Sequence, residues 1–359
     1  MLTLSILGWP QSRLSDLQSI LDSNLVPARV ASVDRGALTV LGALPDPLAP
    51  LLLPHRAEPG LAAPVVGDWV ALRAASGTHV VERLLPRASL FVRKEAGRGS
   101  SAQPVAANVD HVLVVTAVGD DISPGRIERY LTAIHAGGAS PVVVVNKADR
   151  PHDADDVLSR VRAAAPGVPI VATSTVLEGG LDSLLALVSA PMTVALVGSS
   201  GVGKTSILNR LLGAEAGPRA TAEVRSHDDT GRHTTTRREL VVAPSGLVVI
   251  DTPGVREIGL WGASSGLAAA FPDVEELAAA CRFTDCAHSG EPGCAVLAAI
   301  EQGSLPAGRL ERYERLAREI AHNDARAGQS LAHKRHWKAI HKGQRERQKL
   351  ERKLGLKGW

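Results

Sequence analysis

One octapeptide, Gly198-Ser199-Ser200-Gly201-Val202-Gly203-Lys204-Thr205, constrains the fold of this chain more than any other stretch. The apolar run Val194-Ala195-Leu196-Val197 precedes it, and Ser206-Ile207-Leu208-Asn209-Arg210-Leu211-Leu212 follows with apolar residues at helical spacing. Strand, glycine-rich turn and helix with G-x-x-x-x-G-K-[ST] spacing form a phosphate-binding loop. The glycines allow backbone N–H groups to converge on phosphate oxygens, and the helix N-terminus adds a favourable dipole. In such a loop Lys204 reaches the β- and γ-phosphates, and the Thr205 hydroxyl coordinates Mg²⁺.

The residues that select the base lie upstream. Pro141-Val142-Val143-Val144-Val145 runs into Asn146-Lys147-Ala148-Asp149, which places polar side chains at the carboxyl end of a buried strand, where α/β sheets bind ligands. A carboxylate at Asp149 can accept both N1–H and the exocyclic N2–H of guanine. Adenine offers no such donor pair, so the pattern points to GTP rather than ATP. A helix is expected over 124–136, a second over about 153–164, and a strand at 168–172. The turn Thr173-Ser174-Thr175 follows that strand, and its backbone N–H groups, with Ser174 the candidate, are expected to touch the base.

The remaining nucleotide-binding elements lie downstream. The polar stretch from Ala222 to Thr230 ends in Gly231-Arg232-His233-Thr234-Thr235-Thr236, which has the character of a switch loop. Thr234 and Thr235 are candidates for nucleotide and Mg²⁺ contact. Leu247-Val248-Val249-Ile250 leads into Asp251-Thr252-Pro253-Gly254, where Asp251 is placed to hold Mg²⁺ and the Gly254 N–H to meet the γ-phosphate. The residue after Gly254 is Val255, which cannot orient a water, so His233 is the candidate hydrolytic residue beside Lys204. The base-binding pair thus precedes the phosphate-binding three, which is a circular permutation of the GTPase order. The order also predicts that movement at Gly254 is passed to whatever follows Trp261.

All three cysteines of the chain fall in Cys281-x₄-Cys286-x-His288-x₅-Cys294. Three thiolates and an imidazole spaced by Pro- and Gly-containing turns suit a closed, structural Zn²⁺ site. From His333 to Trp359 there are ten Lys or Arg and two Glu, a net of +8, so the rest of the chain carries −5 of the overall +3. Trp337 and Trp359 interrupt this basic tail, which suits an RNA partner.

Residues 25–92 read as short strands: Leu25 to Val33, then Ala37 to Leu41 across Asp34-Arg35-Gly36, then Gly67 to Arg73 paired with Thr78 to Leu85. A small OB-like β-barrel is the expectation. The polar, glycine-rich residues 93–104 read as a linker. The fold class expected is therefore multidomain: an OB-like barrel with a short N-terminal extension (1–95), a permuted α/β P-loop GTPase domain (105–260), and a helical zinc-binding domain with a basic tail (261–359). No stretch has the roughly 18–20 apolar residues of a membrane span, and the start of the chain lacks a basic n-region. A cytoplasmic monomer without a membrane partner is expected.

Together these residues resemble the ribosome small subunit-dependent GTPase A (RsgA) family. The resemblance runs through Leu7-Gly8-Trp9, Gly67-Asp68-Trp69-Val70, Asn146–Asp149, Gly198–Ser206, Gly231–Thr236, Asp251–Gly254 and the Cys/His knuckle. It implies an OB-fold, a GTPase domain and a zinc domain, binding to the small ribosomal subunit and its rRNA, a role in late maturation of that subunit, and GTP hydrolysis stimulated by it. It also implies a switch histidine important for hydrolysis, which maps onto His233. The chain departs from the family pattern at Thr230, often basic, and at Thr173-Ser174-Thr175. Two other readings remain open on sequence: a nucleotide-dependent RNA-binding switch without turnover, and a permuted GTPase of large-subunit assembly.

Overall fold

The computed structural model describes residues 2–34, 36–54, 62–75, 77–94, 102–119, 121–213, 238–251, 260 and 262–325. The switch residues Thr230, His233, Thr234, Thr235, Thr236 and Gly254, with Val255 and the basic tail carrying Trp337 and Trp359, lie outside the described residues.

A parallel sheet carries the phosphate-binding loop. Its strands are β8 (His111–Ala117), β9 (Ser140–Asn146), β10 (Ile170–Ala172), β11 (Thr193–Gly198) and β13 (Val248–Asp251), in the order β10-β9-β8-β11-β13, with β12 (Glu239–Val242) antiparallel at the far side. The strand leading into the phosphate loop, β11, is therefore flanked by β8 from upstream and β13 from downstream. Spatial order is kept while chain order is permuted, because parallel neighbours need only crossover connections of sufficient length.

Alternation along these strands divides the interior into two layers. Val112, Val114, Val143, Val145, Ala195 and Val197 face one side, with helices α3 (Pro124–Ala136) and α4 (Ala154–Ala164). Leu113, Val115, Val142, Val144, Val194 and Leu196 face the other, with α5 (Asp182–Leu187) and α6 (Lys204–Leu212). Asp153 starts α4 by accepting from the N–H groups of Asp155 and Asp156, both at 3.0 Å.

Five antiparallel strands precede this sheet: β1 (Val26–Asp34), β2 (Ala37–Leu41), β3 (Leu51–Pro54), β4 (Trp69–Ala75) and β5 (Thr78–Leu84). The ladder order is β3-β2-β1-β4-β5 around Ala28, Val30, Leu38, Val40, Leu53, Val70 and Leu72. β3 lies against β5, but among the described residues no ladder joins them. β1 continues into the parallel sheet through Ser32 opposite Glu239 on β12.

The two N-terminal signatures meet at one point. Trp9 packs edge-on against Trp69 at 4.6 Å between ring centroids, and the fully buried Arg29 guanidinium lies over Trp69 at 5.0 Å. Arg29 donates to the carbonyls of Leu7, Gly67 and Asn108, so one side chain ties the N-terminal lead, the β-strands and the start of the parallel sheet. Burial lowers its pKa to about 10, with the charges of Asp110 and Asp68 opposing the fall.

The stretch 93–104 is not simply a linker. Arg93 and Lys94 end β6 (Leu90–Lys94), and Ala102, Gln103 and Pro104 begin β7 (Ala102–Ala107), the two forming an antiparallel hairpin. Its strand ends are polar or proline-containing, so they lack the apolar alternation that would have marked them as strand.

After 260 the chain builds onto α3. Helices α7 (Ser264–Ala270), α8 (Pro272–Ala279), α9 (Ala295–Glu301) and α10 (307–325) share one apolar cluster with it, through Leu267, Phe271, Val274, Leu310 and Leu316. A Cβ at Gly266 would lie 2.1 Å from the Thr132 carbonyl, so only glycine permits α7 this close to α3. Covered on both sides, α3 buries the polar Glu128 and Thr132 as well as its apolar face. Glu128 receives Arg309 Nη1 at 2.8 Å and Arg312 Nε at 2.6 Å, while Arg309 also grips Asp273 and stacks over Phe271 at 4.1 Å. Removing one partner of a buried pair leaves a charge without compensation, at a cost of about 3–5 kcal/mol. Arg309→Ala is therefore expected to lower the urea-unfolding free energy by about 3 kcal/mol or more, whereas Arg73→Ala, at an exposed pair with Glu82, is expected to shift it by less than about 1 kcal/mol.

Candidate functional site

β11 is buried along its whole length and delivers Gly198 to the carboxyl end of the sheet; α6 begins at Lys204 after Gly203 in the left-handed region at φ +98°. A Cβ on Gly203 would stand 2.2 Å from Asn146 Nδ2. Both the backbone conformation and the close approach of a side chain from the base-binding motif thus require glycine there. Lys204 Nζ donates to the carbonyls of Gly198 (2.9 Å) and Ser199. Thr205 and Ser206, half-buried, occupy the first turn of α6, and Asp251 ends β13 on the neighbouring parallel strand. A hydroxyl and a carboxylate are hard oxygen donors of the kind Mg²⁺ prefers, so Thr205 and Asp251 fit that ion. Thr235, the third residue expected there, lies outside the described residues.

The base-binding motif is bonded to the phosphate loop. Asn146, fully buried at the end of β9, donates through Nδ2 to the Val202 carbonyl at 2.8 Å and accepts at Oδ1 from Thr173 Oγ1 at 3.1 Å. Lys147, a non-glycine residue at φ +62°, extends Nζ to the Gly201 carbonyl at 2.7 Å. The left-handed conformation costs energy at lysine and is held because both its neighbours are fixed.

Asp149 is exposed, with its carboxylate oriented by Ser174 Oγ at 2.6 Å. That hydrogen bond is the chief reason its carboxyl is held below the usual range; burial opposes it, and the Asp149 N–H and the charges of Arg150 and Lys147 add to the lowering. Ser174 does not present its own N–H to the base, since that group donates to the Gly180 carbonyl. The N–H groups of Val176 and Leu177 turn inward onto Ser174 Oγ at 3.2 Å. The sequence pattern marked Ser174 as a base contact, and the structure places it as the residue that orients Asp149. The sequence places Thr173 only within that turn and does not give its bond to Asn146, although a hydroxyl directly after a strand beside N-K-x-D is the signal that could have found it.

A second contact missed in the sequence joins α3 to the phosphate loop. Arg126 donates to Ser199 Oγ and to Asp121 Oδ1 at 2.8 Å, and Thr116 Oγ1 holds Asp121 Oδ2 at 3.1 Å.

The knuckle lies apart from this pocket, between α8 and α9. The ligand atoms of Cys281, Cys286, His288 and Cys294 all lie within 4.8 Å of one another. Cys281 Sγ is 3.9 Å from Cys294 Sγ and 3.6 Å from His288 Nδ1, which is 3.4 Å from Cys294 Sγ. Bonds of about 2.3 Å to sulfur and about 2.0 Å to nitrogen in a tetrahedron put neighbouring donors roughly 3.5–3.8 Å apart, so the set fits one zinc ion. The loop is pre-shaped by the Glu291 carboxylate, which accepts from the N–H groups of Ala287, Ser289 and Gly290; its own N–H first and these three hold its pKa at about 2 against the opposing effect of burial. Cys294 also starts α9, its sulfur accepting from Leu297 N–H at 3.4 Å.

The sequence profile of the RsgA GTPase family matches residues 84–261. A small ribosomal subunit biogenesis GTPase RsgA from Opitutus terrae is 41% identical over 98% of this chain and 99% of its own length. The chain belongs to the RsgA GTPase family. Its members are GTP hydrolases, and this chain is one. A relative of the same name from Streptomyces avermitilis is also 41% identical, over 98% of this chain and 95% of its own. Among solved structures, YjeQ from Thermotoga maritima superposes with a TM-score of 0.61 at 27% identity, covering 83% of this chain and 99% of that one. YloQ, described as a circularly permuted GTPase, matches with a TM-score of 0.59 at 24% identity over 84% and 96% of the two chains, a likeness of fold. The permuted order read from the RsgA-type motifs is therefore the order of a known architecture.

The Ser174–Asp149 bond has a pH consequence. Because the folded pKa of the Asp149 carboxyl is depressed, its charge persists in acid and is lost only as pH falls through the lowered value. Ser174→Ala is expected to move the Asp149 titration upward toward the ordinary carboxylate value, with the acid limb of GDP affinity moving in the same direction. Carboxyl-carbon NMR titration with parallel GDP binding measures both.

Proposed function

We propose that this RsgA family member binds the small ribosomal subunit and acts in its late maturation, hydrolysing GTP to GDP and phosphate at a rate raised by that subunit. The bond from Asn146 to the phosphate loop carries the nucleotide half of the reading, because it makes base and phosphate recognition one site. The names of the Opitutus and Streptomyces relatives support the partner.

In this reading Asp149, oriented by Ser174, accepts both donors of the guanine edge. Backbone N–H groups of Ser199 to Thr205 cradle the phosphates. Lys204 places its charge on the β- and γ-phosphates, where charge develops as the terminal bond breaks. Thr205 and Asp251, with Thr235, hold Mg²⁺, which neutralises the phosphate oxygens when bound. Thr234 and Gly254 read the γ-phosphate, and His233 aligns the attacking water in the place that Val255 cannot fill. One structural Zn²⁺ is held by Cys281, Cys286, His288 and Cys294.

The order β3-β2-β1-β4-β5, with β3 against β5, supports an OB-like barrel at 1–95. The GTPase unit spans 105–260 and the zinc-binding helical unit 261–359. No helix among the described residues is long and apolar enough to cross a membrane, and the protein is proposed to work as a cytoplasmic monomer on rRNA.

The deciding experiment compares GTP turnover alone, with purified small subunits, and with large subunits as control. Small subunits are expected to raise the rate at least tenfold, and His233→Ala to abolish that increase. Stimulation by large subunits alone would overturn the partner, and a stimulated rate untouched by His233→Ala would remove that residue from hydrolysis.

A further inference from the structure

Aromatic rings are scarce in this chain and, among the described residues, nearly all are enclosed. Trp9, Trp69, Phe91, Tyr130 and Phe271 are buried, and Tyr313 is half-buried with its hydroxyl on Glu275. Phe283 is the exception at 41% exposure. Among the described residues Phe283 is therefore the one aromatic ring whose face a partner can readily reach.

The surroundings of Phe283 are built. It sits in the loop between the two metal-site residues Cys281 and Cys286, and its carbonyl accepts from the Cys286 N–H at 3.3 Å. The Arg282 guanidinium lies over the ring at 5.4 Å from its centroid. Arg282 is held in turn: its N–H donates to the Gly293 carbonyl at 3.1 Å, and its stem crosses Gly293, where a Cβ would be 3.0 Å from Arg282 Cβ. Ring and guanidinium are thus carried on a short loop pinned at both ends, so little conformational freedom is lost when something stacks on them.

We infer that Arg282 and Phe283 form a stacking platform for an unpaired RNA base. Aromatic faces and guanidinium planes are the surfaces on which splayed bases stack, and any base has the π-face that such a platform needs. The exposed Asp285 in the same loop disfavours a phosphate at this spot, which selects the base over the backbone. The buried Trp9 and Trp69 remove the N-terminal strands' own aromatics from this role. The platform deepens the small-subunit reading by giving the knuckle a specific contact, and it rests on that reading only for the identity of the RNA.

The test uses the full-length zinc-loaded protein with Phe283→Leu, which keeps apolar bulk without a ring, and Phe283→Trp, which keeps a ring. Zinc content by mass spectrometry and intrinsic GTP turnover, both expected unchanged, confirm that the knuckle and pocket are intact. Affinity is measured for a single-stranded oligouridine and, separately, for purified small subunits. Phe283→Leu is expected to weaken oligouridine binding about 5- to 150-fold, the span of one stacked base, with Phe283→Trp at or above wild type. The same ranking is expected with subunits. Equal oligouridine affinity for wild type and Phe283→Leu would overturn the platform, and so would a loss seen with subunits but not with oligouridine, which would assign the ring to a protein partner. Ring-dependent oligouridine binding by a wild-type protein that ignores small subunits would uphold the platform and discard the small-subunit reading.

Discussion

The nucleotide pocket depends on one buried amide. Asn146 donates to the Val202 carbonyl and accepts from Thr173, and its Nδ2 occupies the space that any side chain at residue 203 would need. It binds together the phosphate loop, the base-binding motif and the turn that orients Asp149. In a permuted chain these parts are distant in sequence, Asn146 and Val202 standing 56 positions apart, so chain continuity cannot hold them in register. A buried amide that satisfies both its donor and its acceptor does so at the cost of roughly 1–3 kcal/mol should either partner be lost.

The second organising element is α3. At its first turn Arg126 reaches Ser199 of the phosphate loop, and two residues on, at Glu128, Arg309 and Arg312 meet. The sequence order directs attention to the exit from switch II as the path from nucleotide to C-terminal region. The exit from switch II, 252–259, lies outside the described residues, and the contacts that are described run through α3, whose two sides face the sheet and α7. A helix packed on both sides moves as a unit with its neighbours, which makes α3 a physical connection between the loop and the knuckle-bearing helices.

Much of this was legible in the sequence, for identifiable reasons. The phosphate loop, Asn146–Asp149 and the knuckle are chemistry written in fixed spacings, and α3 falls where a helix was expected, at Pro124–Ala136. The hairpin strands β6 and β7 escaped because their ends are polar or proline-containing. The roles of Thr173, Arg126 and Arg309 escaped because each acts on a residue far away in the chain, and single-sequence patterns carry no record of such pairings. Ser174 shows the intermediate case: its turn was legible as part of the candidate site, its bond to Asp149 was not.

The central claim is that Asn146 fixes the phosphate loop as well as the base side. Calorimetric titration of Asn146→Ala with magnesium pyrophosphate, which has no base, tests it directly. The account predicts pyrophosphate affinity about tenfold weaker than wild type, in keeping with the loss of a buried hydrogen-bonded amide. Unchanged pyrophosphate affinity, with only GDP binding impaired, would contradict it and confine Asn146 to base recognition.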